Sequence, residues 1–174
     1  MDKESQFKAI WQANRDRIYR VCCGYVRDED VRQDLFQTVL LHVWESLETY
    51  RGDSQVGTWV FRITVNTCLG YLRTRRRQQN LWTQRGEDAG RVGNGLAPCP
   101  TEVCGMRDDI ERLYICIHQL PPVERMLISL HLEEMGTEEM ADVLGLSPDH
   151  VRVKIHRVKK VLRGIWERTG DGME

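Results

Sequence analysis

The fold of this chain is decided between residues 136 and 151, where the sequence reads Gly136-Thr137-Glu138-Glu139-Met140-Ala141-Asp142-Val143-Leu144-Gly145-Leu146-Ser147-Pro148-Asp149-His150-Val151. Thr137 and Ser147 are residue types that cap helix N-termini, and each stands just before a helical pattern. Gly145 permits the left-handed turn that ends the first helix. Pro148 suits the first position of the second helix, where its missing N–H costs nothing. The stretch therefore predicts a helix-turn-helix.

The helix after this turn has one apolar and one basic face. Its apolar residues recur at i, i+4, i+7 and i+11, as expected for a helix packed on one side: Val151, Ile155, Val158 and Leu162. Its outward face is then Arg152, Val153, Lys154, His156, Arg157, Lys159 and Lys160. A basic helix projected by such a turn fits the major groove of DNA, and a generic helical hairpin is the alternative.

Charge is unevenly distributed, although the net charge is only −1. From Met126 to Val151 there is no Lys or Arg, and the acidic residues are Glu133, Glu134, Glu138, Glu139, Asp142 and Asp149. The sign reverses over residues 152–163, and a second basic cluster holds Arg73, Arg75, Arg76 and Arg77. Such clusters can bind phosphates. The alternative is that charged helix faces pair across the fold.

The rest of the chain is also helical in pattern, without strand alternation. We predict helices at 5–26, 28–50, 58–77, 108–118, 123–132, 137–144 and 148–168. Between residues 78 and 105, glycine and proline replace the apolar periodicity, which indicates a linker. The fold class is therefore all-α: two small helical domains, residues 1–77 and 106–174, joined by a flexible linker at 78–105, the second containing the helix-turn-helix.

The second predicted helix carries more apolar residues than one core-facing side requires. One stripe is Val31, Leu35, Val39, Val43 and Leu47, and a second beside it is Phe36, Leu40 and Trp44, with Leu41 added. A helix of a small domain needs one apolar face for its own core. The surplus suggests docking against a partner. A fully buried central helix is the alternative.

The third predicted helix combines aromatic side chains with positive charge: Trp59, Phe61, Arg62, Asn66, Tyr71, Arg73, Arg75, Arg76 and Arg77. Aromatic rings stack on unpaired bases, Asn can hydrogen-bond a base edge, and Arg binds phosphate. The pattern indicates contact with single-stranded nucleic acid. Core positions for Trp59 and Phe61 are the alternative.

Composition excludes several classes of protein. The chain has 174 residues, 41% of them hydrophobic and 29% charged, and no apolar run long enough for a transmembrane helix. Its N-terminus lacks the pattern of a secretory signal, so we expect a cytoplasmic protein. It contains no glycine-rich phosphate loop, H-E-x-x-H motif or nucleophile elbow, so we expect no enzyme, no catalytic residue and no cofactor.

The six cysteines form no C-x-x-C pair, so no metal site is predicted. Cys22, Cys68 and Cys116 fall on apolar helical faces and are expected in the core. Only Cys99 and Cys104 lie in the predicted linker, where a thiol could react. A redox or metal sensor using these two residues is therefore an alternative function.

Three segments together resemble the extracytoplasmic-function (ECF) branch of the sigma-70 family of RNA polymerase subunits. Residues 34–44 are similar to the family's region 2.2, and residues 51–66 to its regions 2.3 and 2.4. Residues 120–125 and the helix-turn-helix are similar to region 4. The resemblance implies an alternative sigma factor, which binds core RNA polymerase and directs it to promoters. A stand-alone helix-turn-helix regulator is the alternative, but it leaves the second apolar stripe and the third helix unexplained.

The resemblance also implies a role for each segment. The coiled coil of the polymerase beta-prime subunit would be bound by Asp34, Leu35, Phe36, Gln37, Leu40, Leu41 and Trp44. The minus-ten element, with a flipped base, would be read by Arg51, Asp53, Ser54, Trp59, Arg62, Asn66, Arg73 and Arg76. The minus-thirty-five element would be read by Ser147, His150, Arg152, Val153, Lys154, His156, Arg157 and Lys160. The beta-subunit flap would bind the second domain, and an anti-sigma factor would cover the polymerase-binding faces.

The chain departs from the family pattern at three of its residues. Thr38 stands where the family usually carries an acid after the Gln of region 2.2. Val153 replaces a small hydroxyl residue that many members carry in the recognition helix, and His156 is also unusual there. The sequence of the minus-thirty-five element is therefore not implied by the resemblance.

Overall fold

The structure is a computed structural model that describes residues 2–52, 54–84 and 108–170. These residues contain α-helices, one short 3-10 helix at Leu47–Thr49, and no strand. In chain order the helices are α1 (Lys3–Tyr25), α2 (Glu29–Ser46), α3 (Val56–Gln84), α4 (Asp108–Ile117), α5 (Pro122–Leu132), α6 (Thr137–Leu144) and α7 (Pro148–Gly170). The predicted all-α class is confirmed.

Helices α1, α2 and α3 form the N-terminal half, in which each helix packs against the other two. Two aspartates begin the first two helices: Asp2 Oδ1 accepts from the Glu4 N–H at 2.9 Å, and Asp28 Oδ1 accepts from the Val31 N–H at 3.1 Å. The core between the helices is fully enclosed and includes Val21, Cys22, Val39, Val60, Phe61, Val65 and Cys68. Phe61 is thus a core residue and not a base platform.

Helices α4 to α7 form the C-terminal half, in which α7 packs against the other three helices. The α6–α7 turn has the predicted chemistry, since Gly145 adopts φ 65° and Ser147 Oγ accepts from the His150 N–H at 3.3 Å. Thr137, however, is not the cap of α6. The capping position is Gly136, whose N–H donates to Glu139 Oε2 at 2.9 Å, so the carboxylate three residues on supplies the cap.

The two halves pack against each other, and their buried residues form one continuous cluster. Helix α1 contacts α5 and α4, while α3 contacts α6. Helices α1 and α5 approach each other closely at Gly24, where an added Cβ would overlap Ser129 Oγ. A side chain at position 24 would therefore displace the Ser129 hydroxyl from its present position.

Two helix boundaries differ from prediction by more than two residues. Helix α3 ends at Gln84 instead of Arg77, because the arginines and glutamines that follow its apolar part are good helix formers. Helix α2 ends at Ser46, and the 3-10 helix replaces its predicted last turn. Most of the predicted linker, with Cys99 and Cys104, lies outside the described residues. No helix in the described ranges is both long enough and apolar enough to cross a membrane.

The cysteines predicted for the core, Cys22, Cys68 and Cys116, are buried. A hydrogen bond with Cys68 and burial raise the pKa of the Cys22 thiol well above its usual value. A protonated, enclosed thiol is a poor nucleophile and a poor metal ligand. Within the described ranges there is no group of three or more His, Cys, Asp or Glu side chains that could hold a metal ion.

Candidate functional site

Helix α7 presents the predicted basic face to solvent. Val151 and Val158 are buried on its inner side, and Ile155 and Leu162 are partly buried against the same core. Of the residues predicted for the minus-thirty-five element, Lys154 is half-buried and the others are exposed: Ser147, His150, Arg152, Val153, His156, Arg157 and Lys160. The fold therefore leaves this whole set available to a ligand, as the helix-turn-helix pattern predicted.

One basic residue of this face is already paired. Arg152 donates to Asp149 Oδ1 at 2.7 Å and lies 3.5 Å from Glu138 Oε1. These groups are exposed, so the pairing is weak and can be exchanged for phosphate. Arg157 is also exposed. In the part of the chain that the structure describes, the ion pairs of α7 involve Arg152 and not Arg157, which makes Arg157 the better candidate for a base contact.

The segment between α2 and α3 is held by aromatic and backbone contacts. The rings of Tyr50 and Trp59 lie 4.8 Å apart, and the Tyr50 hydroxyl donates to the Ser54 carbonyl at 2.5 Å. Gly52 has φ 80°, which favours glycine at this turn. Arg51 is exposed. Trp59 is thus half-buried against Tyr50 at the base of the loop, while Asp53 lies outside the described residues.

Helix α3 carries the other residues predicted for the minus-ten element, and they differ in accessibility. Asn66 and Arg73 are exposed. Arg62, in contrast, forms an ion pair with Asp142 of α6. Arg76 also belongs to α3, and its side chain lies outside the described part of the structure. The acidic helix α6 thus occupies one arginine of the predicted DNA surface.

Helix α2 places the predicted polymerase-binding residues in three different environments. Asp34, Gln37 and Leu41 are exposed, and Leu41 is 54% exposed. Phe36, Leu40 and Trp44 are half-buried. Leu35 is buried in the core, where a partner cannot reach it. Among these seven residues, Leu41 offers the largest apolar side chain that is freely accessible.

The second apolar stripe of α2 is largely covered by α1. Phe36 packs on Tyr19 and Trp11, each with ring centroids 5.3 Å apart. Trp44 packs edge-on against Phe7 at 5.1 Å, with the Lys3 ammonium 4.7 Å from its ring. Much of the apolar surface of α2 that suggested a partner is therefore covered by α1.

A groove between α2 and α3 brings two predicted sites together. It is lined by Asp34 and Thr38 from α2 and by Asn66 and Tyr71 from α3, and its volume is about 460 Å³. The Thr38 hydroxyl donates to the Asp34 carbonyl at 2.8 Å, so it is satisfied within the helix. A predicted polymerase-binding residue, Asp34, and a predicted base-binding residue, Asn66, thus share one surface.

The two halves are joined by a clasp centred on Glu133, which sequence reasoning did not identify as a site. Its carboxylate, whose side chain is only 5% exposed, accepts from Arg20 at 2.7 and 2.8 Å, and Arg17 Nε lies 3.4 Å from it. The Glu133 carbonyl accepts from Arg17 Nη2 at 2.6 Å. The hydrogen bond to Glu133 raises the pKa of Arg20. The signal that could have found the clasp is the stretch 126–151, which has acids but no Lys or Arg.

A second set of contacts continues this clasp between α3 and α6. Thr58 Oγ1 donates to Glu139 Oε1 at 3.2 Å, next to the Arg62–Asp142 pair. The acidic stretch therefore pairs with basic and polar groups of the N-terminal half. Of the two interpretations of the charge clusters, phosphate binding and pairing of charged faces across the fold, the second applies to this acidic stretch.

Comparison with known protein families gives two matches in the order that the motifs predict. The family model "Sigma-70 region 2" matches residues 10–78, and "Sigma-70, region 4" matches residues 110–162. These ranges contain all the site residues predicted above.

Curated relatives match along nearly the whole chain. An ECF RNA polymerase sigma-E factor of Haemophilus influenzae is 28% identical, over 92% of this chain and 87% of its own. The RNA polymerase sigma-H factor of Pseudomonas aeruginosa is 29% identical, over 84% and 78%. The ECF sigma-E factor of Escherichia coli K12 is 27% identical, over 91% and 85%.

Two solved structures share the fold. The sigma factor RpoE of Bartonella quintana, solved with the anti-sigma factor NepR, superposes with a TM-score of 0.73 at 18% identity, covering 93% of this chain and 97% of its own. CnrH, solved with the cytosolic domain of CnrY, superposes with a TM-score of 0.66 at 19% identity, covering 95% and 90%.

Proposed function

Since this chain belongs to the ECF branch of the sigma-70 family, we propose that its two halves divide the work of an alternative sigma factor. Residues 1–77 form the domain that binds core RNA polymerase and reads the minus-ten element. Residues 106–174 form the domain that reads the minus-thirty-five element, and residues 78–105 link the two. The protein is a transcription initiation subunit without catalysis of its own, and it works where polymerase works, in the bacterial cytoplasm.

The observation that carries this proposal is the surface of α7. A helix-turn-helix projects a helix whose inner side is buried and whose outer side is basic and exposed, as a reader of the major groove requires. The exposed Asn66 and Arg73 of α3 support a second reading surface in the other half. Two separate surfaces suit a promoter with two separate elements.

We assign the polymerase contact to the exposed side of α2, around Asp34, Gln37 and Leu41. Leu41 supplies apolar area that the fold leaves in solvent, and the two polar residues lie on the same side of the helix. This surface is the candidate for the beta-prime coiled coil. The beta-subunit flap would bind the C-terminal half.

Control by an anti-sigma factor is supported by the two structural neighbours, one solved with an anti-sigma factor and the other with the cytosolic domain of CnrY. In this chain the clasp between Glu133 and α1 holds the halves together, with α6 against α3. A partner that binds this closed arrangement would keep Arg62 of the minus-ten surface paired with Asp142.

Run-off transcription tests the proposed function. Core polymerase is assayed with and without the chain on a library of genomic promoters. We expect transcripts that appear only when the chain is present and that start downstream of shared minus-thirty-five and minus-ten elements. Tight, sequence-specific duplex binding by the free chain, without polymerase-dependent transcripts, would indicate a stand-alone regulator instead.

A further inference from the structure

Val153 occupies the outermost line of the recognition helix. It follows the fully buried Val151 by two residues, which is about 200° around a helix with 3.6 residues per turn. Its side chain therefore points directly away from the core, and it is 49% exposed. A branched apolar side chain thus lies on the outermost line of a helix face that is otherwise polar or basic.

The neighbouring side chains leave Val153 accessible to a ligand. His150 and Arg157 lie about one turn before and after it on the same side of α7, and both are exposed. Arg152 is drawn back toward Asp149 and Glu138 at the N-terminal end of the helix. In a helix-turn-helix, the N-terminal residues of the second helix contact base edges. Val153 is placed to be one of them.

Only one apolar group is offered by the base edges of the major groove, namely the C5-methyl group of thymine. A valine placed against the amino group of cytosine or the acceptors of a purine would remove water from a polar group without replacing its hydrogen bond. Resting on the function proposed above, we infer that Val153 reads a thymine in the DNA element bound by α7, through contact with its C5-methyl group.

Replacing thymine by uracil tests this inference, because uracil lacks the methyl group and keeps every hydrogen-bonding group. Each thymine of the upstream element is replaced in turn in a promoter duplex, and binding by core polymerase carrying the chain is measured by competition. Burial of one methyl group corresponds to about a fourfold change in affinity. We expect the affinity to fall by about this factor when one particular thymine is replaced, and to stay unchanged at the others.

Val153→Ala should weaken binding to the thymine promoter by a similar factor and abolish the difference between thymine and uracil at that position. Val161→Ala is the matched control, because Val161 is on the same helix and is 47% exposed. That variant should retain the difference. Circular dichroism on both variants checks that the fold is unchanged.

The outcomes separate the inference from the proposed function. A promoter-specific complex in which no thymine-to-uracil difference depends on Val153 would overturn the inference alone. Failure of polymerase to bind any promoter specifically with this chain would overturn both.

Discussion

Leu41 is the residue of α2 at which exposure and apolar character coincide. It is 54% exposed, whereas Leu35 on the same helix is in the core. We predict that Leu41→Glu weakens binding to the beta-prime coiled coil by about tenfold or more, since burying a leucine contributes roughly 1.5–3 kcal/mol and an unpaired carboxylate costs more. Fluorescence anisotropy with a labelled coiled-coil fragment measures the affinity.

The matched control for Leu41 is Val123→Glu, which introduces the same charge at an exposed apolar residue of the C-terminal half. That variant should bind the coiled coil as the unmodified chain does. If circular dichroism shows Leu41→Glu to be folded and its affinity is unchanged, the polymerase surface lies elsewhere on the molecule.

His118 is expected to make the stability of the fold depend on pH. Burial, together with the positive charges of Arg125 and Arg27, lowers its pKa to about 3, and a hydrogen bond involving the Cys23 backbone opposes that shift only in part. The folded pKa is below the ordinary value of 6.5, so the unfolded chain takes up a proton first. Stability is therefore fully present above pH 6.5 and is lost progressively as the pH falls toward 3.

Between pH 7.5 and pH 5.5 this loss should be about 1 kcal/mol from His118. We predict that His118→Gln is less sensitive to pH over this interval by that amount, as measured by urea unfolding at both values. His131, whose pKa is also lowered by burial, is present in both proteins and does not affect the comparison. Identical pH dependence of the two proteins would show that His118 is not responsible.

At the scale of helices, the contact between α3 and α6 restrains one residue of the predicted minus-ten surface, Arg62. We predict that Asp142→Asn lets the free chain bind a single-stranded minus-ten oligonucleotide more tightly, by up to about fivefold, because Arg62 is released from an exposed ion pair worth about 0.2–1 kcal/mol. Asp149→Asn is the control, since Asp149 pairs with Arg152 and not with Arg62. Equal affinities for Asp142→Asn and the unmodified chain would mean that α6 does not restrict Arg62.

The sequence predicted helices better than it predicted contacts between them. The end of α6 and the start of α7 follow from Gly145, Ser147 and Pro148, whose effects act within one helical turn. The sequence also shows the second apolar stripe of α2. A stripe of this kind has the same pattern whether it packs against another protein or against α1, so the sequence does not distinguish the two. The Glu133 clasp joins residues more than a hundred positions apart. The acidic stretch 126–151 indicates that its carboxylates need partners, but no local pattern identifies Arg17 and Arg20 as those partners.

Considered as a whole, the molecule holds its two predicted DNA-reading surfaces in one closed arrangement. The basic side of α7 faces solvent, while Arg62 of α3 is paired with α6. The buried Glu133 carboxylate with its two arginines fixes this arrangement, because separating them would leave a charge with no partner until water reaches it. Polymerase would hold the two readers at the spacing of the promoter elements and raise the effective concentration of each at its site.

If α7 and α3 each read one promoter element, a single substitution on either helix should affect only the element that this helix reads. Arg157→Ala should impair recognition of the minus-thirty-five element only. A lost bidentate contact with guanine would cost roughly 1–3 kcal/mol at one base position, whereas a lost phosphate contact would weaken all sequences alike and lower the salt slope by about one unit. Asn66→Ala lies in the other half and should instead impair opening at the minus-ten element.

The measurement is transcription by polymerase carrying each variant, on promoters mutated in one element at a time. A variant that has lost contact with an element should be insensitive to further mutation of that element and remain sensitive to mutation of the other. Arg157→Ala and Asn66→Ala should therefore show opposite patterns. If they depend on the promoter in the same way, α7 is the only surface that reads sequence. The exposed side of α3 would then have to serve polymerase, on the same surface as the groove that Asn66 shares with Asp34.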